Sequence, residues 1–160
     1  MRLVLTLAAS LVNAAPALAE GWQVETTTDA GTGVETVTAT VAGEGGARML
    51  IACRNGLRTF MALMPGQVPL PSGNTADAAI VMDGVDPVRL PVVLIDRGAA
   101  TLVAATAPTQ VPALVARLRE ADGPIGLIVT KGGTERAKQV FAGEGAGEAF
   151  ARLDADCPEK

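Results

Sequence analysis

The sequence has no histidine and no tyrosine, and it has only one tryptophan, three phenylalanines and two cysteines. A Ser-His-Asp or Cys-His site needs an imidazole to move a proton, so the lack of histidine excludes both kinds of hydrolase. Serine is also scarce, and Ser72 is the only serine after Ser10. A serine-lysine pair would depend on that one residue, in a proline-rich stretch. The few aromatic rings also disfavour a glycosidase cleft, in which sugars stack on such rings.

The first 19 residues have the pattern of an export signal. Arg2 precedes a short apolar run over 3–12, and Pro16 is followed by small residues at Ala17 and Ala19. The run falls well below the ~20 residues that a membrane-spanning helix needs, which disfavours an N-terminal anchor. We therefore predict a signal peptide over 1–19, cleavage after Ala19, and a single exported domain over 20–160.

The charge balance is acidic, with 13 Lys and Arg against 17 Asp and Glu and a net charge of -4. Loss of Arg2 with the signal makes the mature domain one unit more negative. Nucleic acid and anionic lipid are poor partners for such a domain, and no later apolar run is long enough for stable membrane insertion. A composition rich in Ala, Gly and Val, with Arg preferred to Lys, indicates a bacterial protein and hence a periplasmic location.

Two cysteines remain in the exported domain, Cys53 and Cys157. The compartment is oxidising, and neither a C-x-x-C spacing nor a histidine ligand is available, so a disulfide is favoured over free thiols or a metal pair. In the chain-entropy model, closing a loop of about 100 residues stabilises a fold by up to ~4.7 kcal/mol. We predict a Cys53–Cys157 disulfide, with no metal site and no cofactor.

Short strands separated by turn signals make up most of the domain. The predicted strands are 22–27, 34–41, 48–53, 57–63, 78–82, 88–95, 99–105, 125–130 and 135–142. Pro91 lacks a backbone donor, so it predicts a sheet edge or a break within its strand.

The Asn55-Gly56 turn is the strongest hairpin signal, because both residues tolerate a positive φ. A two-residue turn fixes the register, and it pairs Ile51 with Phe60 and Cys53 with Arg58 on one face. The other face of this hairpin carries Leu50, Met61 and Leu63. Two apolar faces predict a pair of strands in the centre of the sheet.

Two helices are predicted late in the chain. Thr109 is a candidate cap for the first, which has apolar residues at helical spacing and ends before Gly123-Pro124. The second covers about 146–155, and its apolar stripe leads to Cys157, so the disulfide would fasten it to the hairpin. The predicted fold is α+β and β-rich: an antiparallel sheet, or a partly closed barrel or sandwich, with two helices late in the chain.

Three acidic residues are the remaining candidates for catalysis. Asp83, Asp86 and Asp96 fall around one predicted strand pair, which leaves a small carboxylate-based hydrolase as an alternative function. Solvated acids in turns are the favoured interpretation.

Two further motifs have structural interpretations that are favoured over ligand binding. Met61 and Met64 lack a third soft ligand, so core packing is preferred to copper binding. The glycine-rich stretch 143–147 precedes a helix, but no later strand completes a dinucleotide-binding unit. We interpret it as a flexible start to the last helix.

Residues 65–74 contain three prolines and cannot continue a strand ladder, so they form a loop. Exposed loops on a rigid scaffold commonly carry binding residues. The candidate contact residues in this loop are Val68, Leu70, Ser72 and Asn74.

Several turn and core motifs resemble those of exported envelope proteins: Trp22-Gln23-Val24, Leu50-Ile51-Ala52-Cys53, and the C-terminal segment from Phe141-Ala142-Gly143 to Cys157. The chain resembles type VI secretion-associated periplasmic proteins and, in its C-terminal half, invasion-associated locus B proteins. It departs from the type VI-associated pattern at Pro91-Val92-Val93, where a tryptophan and a serine tend to occur. The resemblance implies a non-catalytic accessory role, exercised by contact with an envelope protein.

Overall fold

The computed structural model describes residues 21–69 and 73–158. The predicted cleavage site after Ala19, and Leu70 and Ser72 of the predicted contact loop, lie outside the described residues. The strands and α-helices are, in order, β1 (Gln23–Thr28), β2 (Glu35–Ala42), β3 (Arg48–Arg54), β4 (Leu57–Pro65), β5 (Thr75–Met82), β6 (Val85–Asp96), β7 (Ala100–Ala105), α1 (Val111–Leu118), β8 (Ile125–Lys131), β9 (Thr134–Phe141) and α2 (Ala146–Asp156).

All nine strands of the described residues join one antiparallel sheet, in the order β1-β2-β3-β4-β7-β6-β5-β8-β9. The sheet is open, but its two ends meet at one corner, where Gly43 forms a bridge with Phe141 and the Trp22 N–H donates to the Glu144 carbonyl at 3.1 Å. The β-rich α+β prediction, with an antiparallel sheet and two late helices, is confirmed. No helix among the described residues is long and apolar enough to cross a membrane.

The predicted central hairpin is present with its predicted register. Ile51 pairs with Phe60 and Cys53 with Arg58, and Asn55 and Gly56 have φ values of 54° and 79° at the turn. Both strands have a further strand on their other side, so they are interior strands, as predicted.

One face of the sheet, here called the inner face, carries the core and is covered by the two helices. The apolar stripe of α2 is buried against it, and the Phe150 ring lies 4.8 Å from that of Trp22, centroid to centroid. Full burial of a side chain such as Phe150 contributes about 1.5–3 kcal/mol to folding. The opposite face is called the outer face.

Pro91 lies within an unbroken interior strand, so it marks neither an edge strand nor a break. Its carbonyl accepts the Thr106 N–H at 3.0 Å, which shows that its nitrogen points toward β7 and away from β5. Since proline cannot donate there, the β6–β7 ladder ends one pair earlier, at Val92 and Ala105. The missing donor therefore shortens the pairing with β7 and leaves β6 itself continuous.

The predicted cap of α1 is wrong. Thr109 lies in the short 3-10 turn Pro108–Gln110, and the residue preceding the helix is Gln110, with no side-chain cap. Pro112, at the start of the helix, has no backbone N–H, so the first turn contains one donor fewer that would need a cap.

Candidate functional site

The Cys53–Cys157 disulfide is present, with a Cα–Cα distance of 6.2 Å. It joins the end of β3 to the residue that follows α2, and both cysteines are buried. The helix is thereby fastened to the Asn55-Gly56 hairpin, as the sequence predicts.

A cluster of charged side chains lies beside the disulfide. Arg58, on the inner face opposite Cys53, is only 7% exposed and donates to the Asp154 carboxylate of α2 at 2.6 Å. Arg119, just after α1, bonds the other oxygen of the same carboxylate. One acidic side chain therefore links β4, α2 and the end of α1.

A groove of about 500 Å³ opens between the two helices above this cluster. It is lined by Arg58, Pro112, Val115, Ala116, Arg119, Asp154 and Pro158. Asp154 engages both guanidinium groups, so the cluster acts as a strut between structural elements.

The predicted contact loop is anchored to the sheet at both ends. The Val68 N–H donates to the Thr101 hydroxyl at 2.9 Å, and the Asn74 carbonyl accepts the Leu94 N–H at 2.7 Å. Val68 is half-buried and packs against the core, whereas Asn74 is exposed. A cavity of about 190 Å³ separates the two sides of the loop. The structure brings Val68 and Asn74 together around it.

The three candidate catalytic acids do not converge. Asp83 and Asp86 flank the β5–β6 turn, whereas Asp96 ends the 12-residue strand β6. At ~3.3 Å per residue, Asp86 and Asp96 lie roughly 30 Å apart, far beyond the ~5–10 Å separation of a carboxylate pair that cleaves glycosides. Asp96 instead accepts hydrogen bonds from Gly98 and Gln67 in the adjacent loops.

The two methionines lie on opposite faces of the sheet, because they are an odd number of positions apart on one strand, with two residues between them. Met64 is buried in the core, and Met61 is half-buried on the outer face. They therefore cannot share a ligand from this strand.

The stretch 143–147 is closely packed. A Cβ atom at Gly143 would meet the Gly123 carbonyl, and Gly145 has a φ of 78° immediately before α2. The glycines thus permit a close backbone approach, so the start of α2 is constrained rather than flexible.

Asp29, in the β1–β2 turn, has a pKa lowered by hydrogen bonds within the turn. The Thr32 hydroxyl donates to its carboxylate at 2.9 Å, and the N–H groups of Thr32 and Gly31 donate at 2.8 and 3.0 Å. These bonds, first the hydroxyl's, lower the pKa of Asp29 below its ordinary value of 3.8, because they favour the charged form.

The stabilisation from this carboxylate is fully present above pH 3.8 and is lost as the pH falls through the lower pKa of the folded state. We expect the Asp29 carboxyl carbon to titrate with a midpoint below 3.8 in an NMR titration. Thr32→Val should move the midpoint upward, whereas Thr32→Ser, which keeps the hydroxyl, should not. A wild-type midpoint at or above 3.8 would contradict this assignment.

The outer face carries a continuous group of apolar side chains, here called the outer patch. Its members are Leu50, Met61, Leu63, Val93, Ile95, Leu102 and Ala104. They form two cross-strand rows, Leu50-Met61-Ala104-Val93 and Leu63-Leu102-Ile95. Each is half-buried by its neighbours except Ile95, which is 36% exposed, and no described helix covers them.

Charges of both signs lie beside the outer patch. Arg48 pairs with Leu63 in register at one end. At the other end, Arg89 shares the outer face of β6 with Val93, and Asp77, on the same face of β5, pairs with Pro91 between them. The patch is thus apolar, with a positive charge beside Leu63 and charges of both signs beyond Val93.

Sequence reasoning missed both the Arg58 cluster and the full extent of the patch. The available signal for the cluster was that the hairpin register places Arg58 opposite a buried cysteine. A buried guanidinium group needs an acidic partner, because burying an unpaired charge is costly. The hairpin alone supplied Leu50, Met61 and Leu63, and the β4–β7 and β6–β7 pairings add the rest.

The described residues contain no group of three or more acidic, cysteine or histidine side chains placed to hold a metal ion. Comparisons with protein-family models, curated proteins and solved structures found no match to this chain.

Proposed function

We propose that this chain is an exported, periplasmic accessory protein of the bacterial envelope, without catalytic activity, which acts by binding another protein. The outer patch is the observation that carries the proposal. Contiguous apolar surface rimmed by polar groups is the usual mark of a contact site on a soluble domain. The resemblance to type VI secretion-associated and invasion-associated locus B proteins supports the same role.

The charges at the border of the patch indicate what the partner offers. Arg48, beside Leu63, favours an acidic side chain opposite that end of the patch, because complementary charges guide association and fix orientation. We therefore assign the patch to a protein whose apolar surface carries an acidic group at that position.

The carboxylate-based hydrolase gains no support from the positions of Asp83, Asp86 and Asp96. We expect Asp83→Asn and Asp96→Asn to retain partner binding. Loss of a measurable hydrolytic activity in either variant would favour the alternative.

The proposal predicts that negative charge within the patch abolishes binding. Met61→Glu combined with Leu102→Glu should reduce capture of an envelope partner by roughly tenfold or more, since it places unpaired carboxylates in an apolar contact. Thr36→Glu combined with Thr59→Glu adds the same charge to the same face outside the patch, and should leave capture unchanged.

The measurement is capture from an envelope extract, combined with a photo-crosslinking residue placed at position 61 or, as a control, at position 36. Partner adducts at position 61 alone, lost in the patch variant, support the proposal. Equal capture by both double variants, or adducts at position 36 only, would refute it. N-terminal sequencing of periplasmic protein tests the location, and a chain that begins at Glu20 is expected.

A further inference from the structure

The two outermost strands of the sheet differ in how their free edges are protected. β9 carries Glu135, Arg136 and Lys138, and its pairing with β8 contains an irregularity. Charges and bulges of this kind discourage pairing with another strand. β1 has the sequence QVETTT, without proline or basic residues, and pairs with β2 in an uninterrupted register. β1 is therefore the less protected edge.

Two backbone bonds establish which residues of β1 present their polar groups at this edge. The Asp29 N–H donates to Val34 on the β2 side, and the Trp22 N–H donates to Glu144 on the opposite side. Because these directions alternate along a strand, Val24, Thr26 and Thr28 point their N–H and C=O groups away from β2. No other described residue bonds these groups.

We propose that this edge pairs with β1 of a second copy of the chain, antiparallel about a twofold axis at Thr26. Thr26 then faces its own counterpart, and Val24 faces Thr28 of the second copy. Each of the three resulting pairs exchanges two backbone bonds, about six in all. The inference is independent of the outer patch, which lies on other strands.

The side chains of β1 suit this self-pairing. In the proposed register Glu25 faces Thr27 of the second copy, so no like charges lie directly opposite each other. Threonine favours strand structure, and its cross-strand pairs stabilise a sheet. The pairing also ends where the chain allows: Trp22 is held by Glu144 at one end, and the turn begins at Asp29 at the other.

Position 26 permits a selective test, because its N–H does not bond β2. Thr26→Pro removes a donor from the proposed interface only, whereas Thr26→Val keeps it. We expect sedimentation equilibrium of the mature protein, from micromolar to millimolar concentration, to show a dimer for wild type and Thr26→Val. Thr26→Pro should weaken dimerisation by roughly tenfold or more. Circular dichroism and Trp22 fluorescence report whether each variant is folded.

A charge exchange tests the twofold register. Thr26→Lys and Thr26→Glu each place like charges opposite each other, and each should be monomeric, whereas their mixture should form a heterodimer. Met61→Glu with Leu102→Glu should dimerise like wild type, which separates this inference from the proposed function. A wild-type monomer throughout the range, equal dimerisation of Thr26→Pro and Thr26→Val, or no recovery on mixing would overturn the proposal. If the wild-type protein is monomeric and Thr26→Pro abolishes capture of the envelope partner, the edge of β1 binds a strand of that partner instead.

Discussion

Replacing both cysteines by alanine is expected to lower the free energy of unfolding by about 2–4 kcal/mol. The bridge joins residues 104 apart, so its loss frees a long loop in the unfolded chain. Small domains have net stabilities of about 5–15 kcal/mol, so the loss is a large part of the total. In the folded chain, the bond is also the covalent link that holds the end of α2 on the sheet.

Urea unfolding of Cys53→Ala/Cys157→Ala, followed by tryptophan fluorescence, measures this change. Trp22 is the only tryptophan and packs on Phe150 of α2, so its signal reports whether the helix stays on the sheet. Wild-type protein under reducing conditions is the matched control, since it keeps both side chains and lacks only the bond. The slope of unfolding free energy against urea should also rise, because an unlinked chain exposes more surface. Equal stabilities for oxidised, reduced and substituted protein would contradict the expectation.

Local signals were sufficient to predict the strands. The Asn55-Gly56 turn fixed two strands and their register together, because a two-residue turn permits few alternatives. The apolar stripe of α2 continues to Cys157, and one face of a helix can be followed from sequence alone. This was sufficient to predict that the disulfide fastens α2 to the hairpin.

The order of the strands was not predictable in this way. β4 pairs with β7 and β5 pairs with β8, and neither pairing joins strands that are adjacent in the chain. Such contacts depend on how whole inner faces fit together rather than on a turn. The outer patch required both β4–β7 and β6–β7 pairing, so the sequence revealed only its hairpin members.

The candidate charged cluster shows the same division between local and long-range information. The hairpin register placed Arg58 on the buried face, but its partner Asp154 is 96 positions later in the chain. Nothing near Arg58 in sequence identifies that carboxylate. The predicted cap at Thr109 was wrong for a local reason instead, because the chain first makes a short 3-10 turn with its own backbone bonds.

Asp154→Leu is expected to destabilise the protein by about 2–4 kcal/mol, more than most single substitutions do. It removes the carboxylate shared by Arg58, which is 7% exposed, and Arg119. Two guanidinium groups then lie close together without the negative charge between them, and one of them is nearly shielded from water. Arg119→Gln should cost less, about 0–1 kcal/mol, because water already screens that side chain.

The double variant Arg58→Met/Asp154→Leu separates the charge effect from simple loss of contact. Replacing both partners of a buried ion pair by apolar groups is often close to neutral, whereas removing one partner leaves the other charge in a poorly hydrated place. We therefore expect the double variant to be more stable than Asp154→Leu alone, with a strongly non-additive cycle in urea unfolding. Additive effects of the two substitutions would mean that Arg58 and Asp154 act independently. In that case the cluster would not serve as a strut between β4 and α2, and the disulfide would be the main tie at that end of the helix.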